Sequence, residues 1–248
     1  MSEQFISAID IRDIIAKSKL PVARGHQGDL YAAEMNGHRL IVKSAHGNFL
    51  SSWIRRRMLR REHRAYDRLK DVQGIPRCFG IYDGRYLVLE AIRGQTLRNA
   101  IVEDPERFYR MLFEIIEAMH SRGVAHGDLT RKDNILVDEE NRPILVDFGV
   151  SSIFRRGWHP FNHLVFRFFS QHDLNAWLKY KYNRHRELMT PEDARYHRRL
   201  LLDEIARRIK RAFAQPRRSP AKRPLRQIPG AGTTKERGSA NGSTRSRP

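Results

Sequence analysis

The sequence is poor in cysteine and has no long apolar segment. Its 248 residues include one cysteine, Cys78, so no disulfide can form within the chain, and we expect this thiol to be a small buried apolar group. The most apolar stretches, residues 111–119 and 163–169, are short and carry charged side chains. We therefore expect no signal peptide and no membrane-spanning helix, and a reducing cytoplasm as the location.

Acidic residues are also scarce. The chain has 47 Lys and Arg against 28 Asp and Glu, a net charge of +19. Residues 214–248 hold nine basic side chains and one carboxylate, with almost no large apolar residues, and are predicted to be a disordered tail. A second basic cluster lies between residues 55 and 64. It either is a solvated helix face or attracts a polyanion such as RNA, anionic lipid or acidic protein. Its members are Arg55, Arg56, Arg57, Arg60, Arg61 and Arg64.

The pattern of apolar residues predicts strands first and helices later. Two strands flank the turn signal Asn36-Gly37, and two more flank Asp83-Gly84. The order of elements predicts an α+β protein of two lobes with a linker near residues 91–94. The predicted strands are residues 30–33, 39–42, 78–82, 85–90, 135–137 and 144–146, and the predicted helices are 51–70, 105–122, one near 173–182 and one that starts at Thr190.

The predicted boundaries are an N-terminal extension over residues 1–20, an N-lobe over 21–90, a C-lobe over 91–213 and the basic tail over 214–248. Near the end of the C-lobe, Leu201, Ile205, Ile209 and Phe213 recur every fourth residue and form one apolar stripe on a basic helix. This helix either packs its stripe into the C-lobe or lies on an anionic bilayer. The second alternative would place the protein at the inner face of the membrane.

Three motifs follow one another in the middle of the chain: His126-Gly127-Asp128-Leu129, Asn134-Ile135-Leu136-Val137 and Val146-Asp147-Phe148-Gly149. Upstream lie Ile41-Val42-Lys43 and the segment from Gly25 to Gly28. Each motif alone is common. Together, their order and spacing resemble the protein-kinase-like superfamily over residues 21–149. The resemblance implies a small antiparallel-sheet N-lobe, a trimmed helical C-lobe and ATP-dependent phosphotransfer to a hydroxyl.

The resemblance also implies a role for each matched residue. Lys43 would hold the α- and β-phosphates of ATP, and Asp128 would accept or orient the attacking hydroxyl. Asn134 and Asp147 would ligate Mg²⁺, with Mn²⁺ as a possible substitute. The remaining residues implied for ATP binding are Gly25 and Gly28 of the glycine-rich segment, and Glu90 and Ile92 where the linker begins.

Glu62 gives a prediction that does not need the motifs. It lies among Met58, Ala65 and Leu69 on the apolar face of the predicted helix, and a carboxylate brought toward the core requires a cation. Lys43, nineteen residues earlier, is the expected partner, which matches the lysine–glutamate pair of the superfamily.

The chain departs from the usual kinase pattern in several places. Ala23 stands where the first loop glycine is expected, and no Ala-Pro-Glu follows residue 149. Gly127 replaces an arginine, so activation by a phosphorylated loop is not predicted. One extra residue separates Asp128 from Asn134, which leaves Asp133 as an alternative metal ligand. Asp173 either supports the catalytic loop or is a plain helix N-cap.

With these departures, the chain resembles the RIO kinases and the bacterial lipopolysaccharide core kinases. The acceptor is therefore either a protein Ser/Thr hydroxyl or a sugar of a lipopolysaccharide core. One alternative is a pseudokinase, a nucleotide-dependent scaffold that binds RNA or a membrane. Another is an aminoglycoside-type phosphotransferase, which the basic C-lobe disfavours because the substrate would be cationic. The sequence gives no oligomeric state.

Overall fold

The protein is described by a computed structural model over Ile11 and residues 23–25, 28–35, 38–45, 49–183 and 185–198. Three predictions fall outside these residues: the N-terminal extension apart from Ile11, the basic helix over 201–213 and the tail over 214–248.

The N-lobe is built on a five-stranded antiparallel sheet of order β1-β2-β3-β5-β4. Strands β2 and β3 pair on either side of residues 36–37, as the turn signal predicts. Helix α1 (Phe49–Arg68) packs on β4 and β5, and its core-facing side chains, such as Leu59 and Ala65, are buried. The strands are β1 (Ala23–Gly25), β2 (Gly28–Met35), β3 (His38–Ser44), β4 (Cys78–Tyr82) and β5 (Tyr86–Glu90).

Strand alternation gives β3 two different faces. Leu40 and Val42 join Ile11 and Val88 in a small apolar cluster on one face of the sheet. Because successive side chains of a strand point to opposite faces, Lys43 lies on the other face, toward α1. The strand thus carries a cationic side chain to the side of the sheet where Glu62 is buried.

The C-lobe is organised around α2 (Pro105–Ser121). Asp104 caps this helix, because its side chain accepts a hydrogen bond from the Arg107 backbone N–H at 3.0 Å, and Pro105 occupies the first turn. The predicted apolar stripe is buried, so the periodicity predicted this helix to within one residue. Its members are Phe108, Leu112, Ile115, Ile116 and Met119.

Short strands hold the loops that follow α2. A three-stranded sheet of order β6-β8-β9 contains β6 (Gly94–Thr96), β8 (Ile135–Asp138) and β9 (Pro143–Leu145). A two-stranded ladder pairs β7 (Val124–Ala125) with β10 (Ser152–Ile153). A 3₁₀ turn over Lys132–Asn134 leads directly into β8.

The later helices differ from their predicted bounds. Helix α3 runs from Pro160 to Lys181 and not from about residue 173, because the apolar run 163–169 belongs to it. Thr190 caps α4 (Pro191–Ala194) as predicted, yet that helix is only four residues long, and a 3₁₀ turn over Arg186–Leu188 precedes it.

One apolar core joins the two lobes. Leu59, Tyr66 and Leu87 of the N-lobe belong to the same buried cluster as Leu112 and Trp177 of the C-lobe. These features confirm the predicted α+β class, with a sheet-based N-lobe and a small helical C-lobe. Within the described residues, no helix combines the length and apolar character that crossing a bilayer requires.

Candidate active site

Lys43 lies between two carboxylates. Its Nζ donates to Glu62 Oε1 of α1, and it lies 3.3 Å from Asp147 Oδ1. The Glu62 side chain is 1% exposed, whereas Asp147 is 27% exposed and opens to solvent. The pairing that the buried position of Glu62 predicts is therefore present in the structure.

The charge of Lys43 depends on these partners. Burial works against the ammonium form, but the charges and hydrogen bonds of Glu62 and Asp147 outweigh burial and raise the pKa of Lys43 above its ordinary value. Lys43 is therefore a cation that two carboxylates hold in a fixed position.

The catalytic-loop motif places Asp128 beside Asn134. Asn134 Nδ2 donates to the Asp128 backbone carbonyl at 3.0 Å and to its Oδ2 at 3.3 Å. Asp133 points elsewhere: both of its carboxylate oxygens accept hydrogen bonds at 2.7 Å from Arg98. The geometry therefore favours Asn134 over Asp133 as the residue that acts with Asp128.

A buried carboxylate on α3 binds the backbone of this loop. Asp173 is fully buried and accepts hydrogen bonds from the backbone N–H groups of His126 and Gly127, at 2.7 and 2.8 Å. His120 Nε2 lies 3.1 Å from the same carboxylate. The N-cap interpretation of Asp173 is wrong, since the residue lies well inside α3.

Gly127 packs closely against α3. Its φ of 76° lies in the left-handed region, and a Cβ placed there would come within 2.4 Å of the Phe169 ring. The loop therefore needs glycine at this position both for its backbone conformation and for close contact with the helix.

Aromatic contacts connect α1 to the loop that begins at His126. The Phe148 ring lies 5.0 Å from Tyr66 of α1 and 4.7 Å from His126, and its side chain is fully buried. Asp147 has a φ of 70°, a conformation that aspartate tolerates better than most residues. The turn thereby buries Phe148 while its neighbour Asp147 faces Lys43.

The predicted nucleotide-binding residues lie on the adjoining strands. Gly25 and Gly28 face each other at the end of the β1–β2 hairpin, and Leu30 of β2 pairs with Lys43. Glu90 ends β5 and is fixed to Arg77 by a side-chain and a backbone hydrogen bond. Ile92 follows two residues later in the linker, where it is partly buried.

Comparison with known proteins identifies the family. The family model of the protein kinase domain matches residues 21–171, more than half of the chain. This chain belongs to the protein kinase domain family. The match includes the glycine hairpin, Lys43, Glu62, all three motifs between residues 126 and 149 and the start of α3.

Several kinases are similar to this kinase domain over part of their length. Serine/threonine-protein kinase PknE of Mycobacterium tuberculosis is 32% identical over 142 residues, which cover 53% of this chain and 25% of the relative. A probable myosin light chain kinase of Dictyostelium discoideum is 37% identical over 99 residues, 36% of this chain and 25% of the relative. Hormonally up-regulated neu tumor-associated kinase of Mus musculus is 38% identical over 74 residues, 27% of this chain and 10% of the relative. The matches thus span a quarter or less of these relatives.

The side chains of the kinase domain are compatible with a magnesium site that a nucleotide completes. In the part of the chain that the structure describes, no three His, Cys, Asp or Glu side chains form a group able to hold a metal ion. Asp147 offers a partly exposed carboxylate, and Asn134 uses its Nδ2 on Asp128, which leaves its Oδ1 for a cation. Mg²⁺ commonly takes one or two protein oxygens and completes its shell with phosphate oxygens and water.

Three residues that contact the loop over residues 126–134 of the kinase domain were not predicted from the sequence. Arg98 binds Asp133, Arg131 Nη1 lies 3.8 Å from Asp128 Oδ2, and the Tyr180 hydroxyl donates to the Thr130 carbonyl at 2.5 Å. Arg131 was detectable, since it lies between the first two motifs. Arg98 and Tyr180 are remote in sequence, and no local pattern connects them with the loop.

Proposed function

We propose that this protein is an ATP- and magnesium-dependent protein kinase that phosphorylates a serine or threonine hydroxyl. The observation that carries the proposal is the position of Lys43, which contacts Glu62 and Asp147 at once. Kinases require the lysine–glutamate ion pair and the metal-binding aspartate to be in place together before phosphotransfer.

The chain supplies orientation and electrostatic stabilisation. Lys43, fixed by Glu62, would neutralise charge on the α- and β-phosphates. Asp128, held by Asn134, would orient the acceptor hydroxyl and receive its proton as the new bond to the γ-phosphorus forms. The bond from the γ-phosphorus to the β-phosphate oxygen breaks in the same displacement, so ADP leaves.

Asn134 and Asp147 are the residues that would hold magnesium. When bound, the ion would neutralise the negative charge that develops on the phosphate oxygens. Asp133 is disfavoured for this role because Arg98 already occupies both of its oxygens.

The names of the relatives, among them a serine/threonine-protein kinase, support a protein acceptor. The resemblance to RIO kinases and to lipopolysaccharide core kinases stays a prediction, and with it a sugar acceptor. A pseudokinase scaffold would have no physical need to keep five residues in one constellation. An enzyme is therefore favoured over a scaffold. The five are Lys43, Glu62, Asp128, Asn134 and Asp147.

The test is transfer of labelled phosphate from [γ-³²P]ATP by the full chain with Mg²⁺. Dephosphorylated casein and a lipopolysaccharide core glycolipid serve as acceptors in separate reactions. We expect labelled protein, and losses of at least about 100-fold with Lys43→Met, Asp128→Asn and Asp147→Asn. Asp133→Asn is the matched control and should keep most of the activity.

Label on the glycolipid alone would favour the sugar acceptor. No transfer to either acceptor, together with ATP binding, would favour the scaffold. Undiminished turnover in the Asp147→Asn variant would show that the cleft has been misassigned.

A further inference from the structure

The exposed side of α1 carries one stripe of basic residues that begins at a tryptophan. Trp53 is 60% exposed, and four exposed arginines follow it at intervals of three or four residues, which is one face of a helix. Glu62 lies on the opposite face, toward the core. We call this row the arginine stripe: Arg57, Arg60, Arg64 and Arg68, with Arg61 beside it.

The charges of the stripe are not neutralised within the part of the chain that the structure describes. No carboxylate there forms an ion pair with Arg57, Arg60, Arg61 or Arg64. Burial and the like charges of Arg57 and Arg64 lower the pKa of Arg61. The stripe thus concentrates positive charge at a cost in repulsion, which an anionic partner would relieve.

A second exposed feature lies where α3 begins. Trp158 is 91% exposed, Phe161 78% and Leu164 59%. Arg155, Arg156 and Arg167, all exposed, surround these three apolar side chains in sequence. We call Trp158, Phe161 and Leu164 the apolar knob, since each side chain projects into solvent.

Hydrogen bonds join the two features. Arg68, the last residue of the stripe, donates to the Phe154 carbonyl at 3.0 Å. Phe154 stacks on His163 of α3 with ring centroids 4.5 Å apart, and Asn162 Nδ2 donates to the Ile153 carbonyl at 3.0 Å. The C-terminal end of the stripe and the first turns of α3 are therefore parts of one packed surface.

We propose that the arginine stripe and the apolar knob form a surface that binds an anionic lipid bilayer. Tryptophan and other large apolar side chains would enter the interface between headgroups and acyl chains, while the arginines would contact the anionic headgroups. This surface uses none of the candidate active-site residues, so membrane binding can be tested independently of the proposed function.

The apolar side chains favour a bilayer over the other polyanions. RNA phosphates would satisfy the arginines and RNA bases could stack on the aromatic rings, but neither gives Leu164 an apolar environment. A folded acidic protein would need a complementary pocket for side chains that project this far. A bilayer interface accepts cationic and apolar groups without such a pocket.

The test is co-sedimentation of the full chain with vesicles of phosphatidylcholine alone or mixed with phosphatidylglycerol, across a salt series. We expect salt-sensitive binding to the anionic vesicles. Arg57→Glu with Arg60→Glu should weaken it by about thirtyfold or more, since each basic residue near an anionic surface strengthens binding by about fivefold. The matched control is Arg107→Glu with Arg110→Glu, an exposed pair at the same spacing on α2.

Tryptophan emission provides a second readout. Trp177 is 2% exposed, so a blue shift on vesicle binding would come from Trp53 and Trp158, and Trp53→Phe and Trp158→Phe should each remove part of it. Trp158→Ser should weaken binding, whereas Ile101→Ser should not, although Ile101 is 86% exposed. Phosphotransfer to a soluble acceptor should be unchanged in these variants, as should their melting temperatures.

Equal vesicle binding by the stripe variant and its α2 control would overturn the proposal, as would binding without an emission shift. Binding to polyuridylate that depends on the stripe, with no vesicle binding, would also overturn it and favour RNA. If the double glutamate variant does not fold, the Trp158→Ser and Ile101→Ser pair decides.

Discussion

Lys43 meets more negative charge than it can neutralise. One ammonium faces the carboxylates of Glu62 and Asp147, and Asp128 adds another carboxylate to the candidate site. A nucleotide brings further negative charge of its own. The site therefore requires an additional cation before the phosphates of ATP can approach closely.

This charge balance predicts that nucleotide binding depends on magnesium. We expect the dissociation constant of ATP, measured by calorimetry, to rise by at least about tenfold when EDTA replaces Mg²⁺. Asp147→Asn should reduce this dependence, because it removes one of the repelling carboxylates and one of the two proposed metal ligands. Binding of equal strength with and without Mg²⁺ would contradict the assignment.

Cys78 provides a prediction on pH. Burial raises the pKa of its thiol to about 11, so at pH 8 roughly one molecule in a thousand carries the reactive thiolate. Alkylation by iodoacetamide in the folded protein should be slow at pH 8 and should rise about tenfold per pH unit below pH 11. Mass spectrometry measures the modified fraction, and urea-unfolded protein, with an ordinary thiol, is the fast-reacting control.

At the scale of elements, α3 supports the catalytic loop through backbone groups. Asp173 accepts from two N–H groups of the loop and lies next to His120. A buried carboxylate that takes several hydrogen bonds fixes the path of the chain, whichever side chains the loop residues carry. The position of Asp128 is thus set from the far side of the loop.

Removing this support should lower both stability and activity. We expect Asp173→Ala to reduce the free energy of unfolding by about 3 kcal/mol, since it leaves two buried N–H groups without an acceptor. The Michaelis constant for ATP should change less than the turnover number, because the nucleotide-binding strands are untouched. Asp71→Ala is the exposed control. A variant with a normal turnover number would show that the loop keeps its path without Asp173.

The helices and hairpins with a regular apolar pattern were predictable from the sequence. The short strands and the long-range contacts that hold the loops were not. The stripe from Phe108 to Met119 predicted α2 because burial follows a period of 3.6 residues there. Helix α3 is apolar on more than one side, which hid its start at Pro160. The ladder of β7 and β10 is two residues long in each strand, too short for a period to appear. Arg98 meets Asp133 only through the fold.

The shared core has a consequence for the whole molecule. Because N-lobe and C-lobe side chains belong to one buried cluster, neither lobe can lose its packing without exposing the other. We expect a single unfolding transition in urea, with coincident midpoints for far-ultraviolet circular dichroism and for tryptophan emission, whose change reports the exposure of the buried Trp177. Two separated transitions would mean that the lobes unfold independently. Mg²⁺ with ATP should raise the midpoint.

The close approach of Gly127 to Phe169 restricts which substitutions position 127 can accept. A single change to arginine would force a side chain into the ring of Phe169 and onto a left-handed backbone. Shortening Phe169 first would open a void against the loop. Either substitution alone is expected to destabilise the protein, so the effect of a change at Gly127 depends on the residue at position 169. Arginine at position 127, as in the common His-Arg-Asp pattern, would therefore require a second change at Phe169 and a different backbone conformation of the loop.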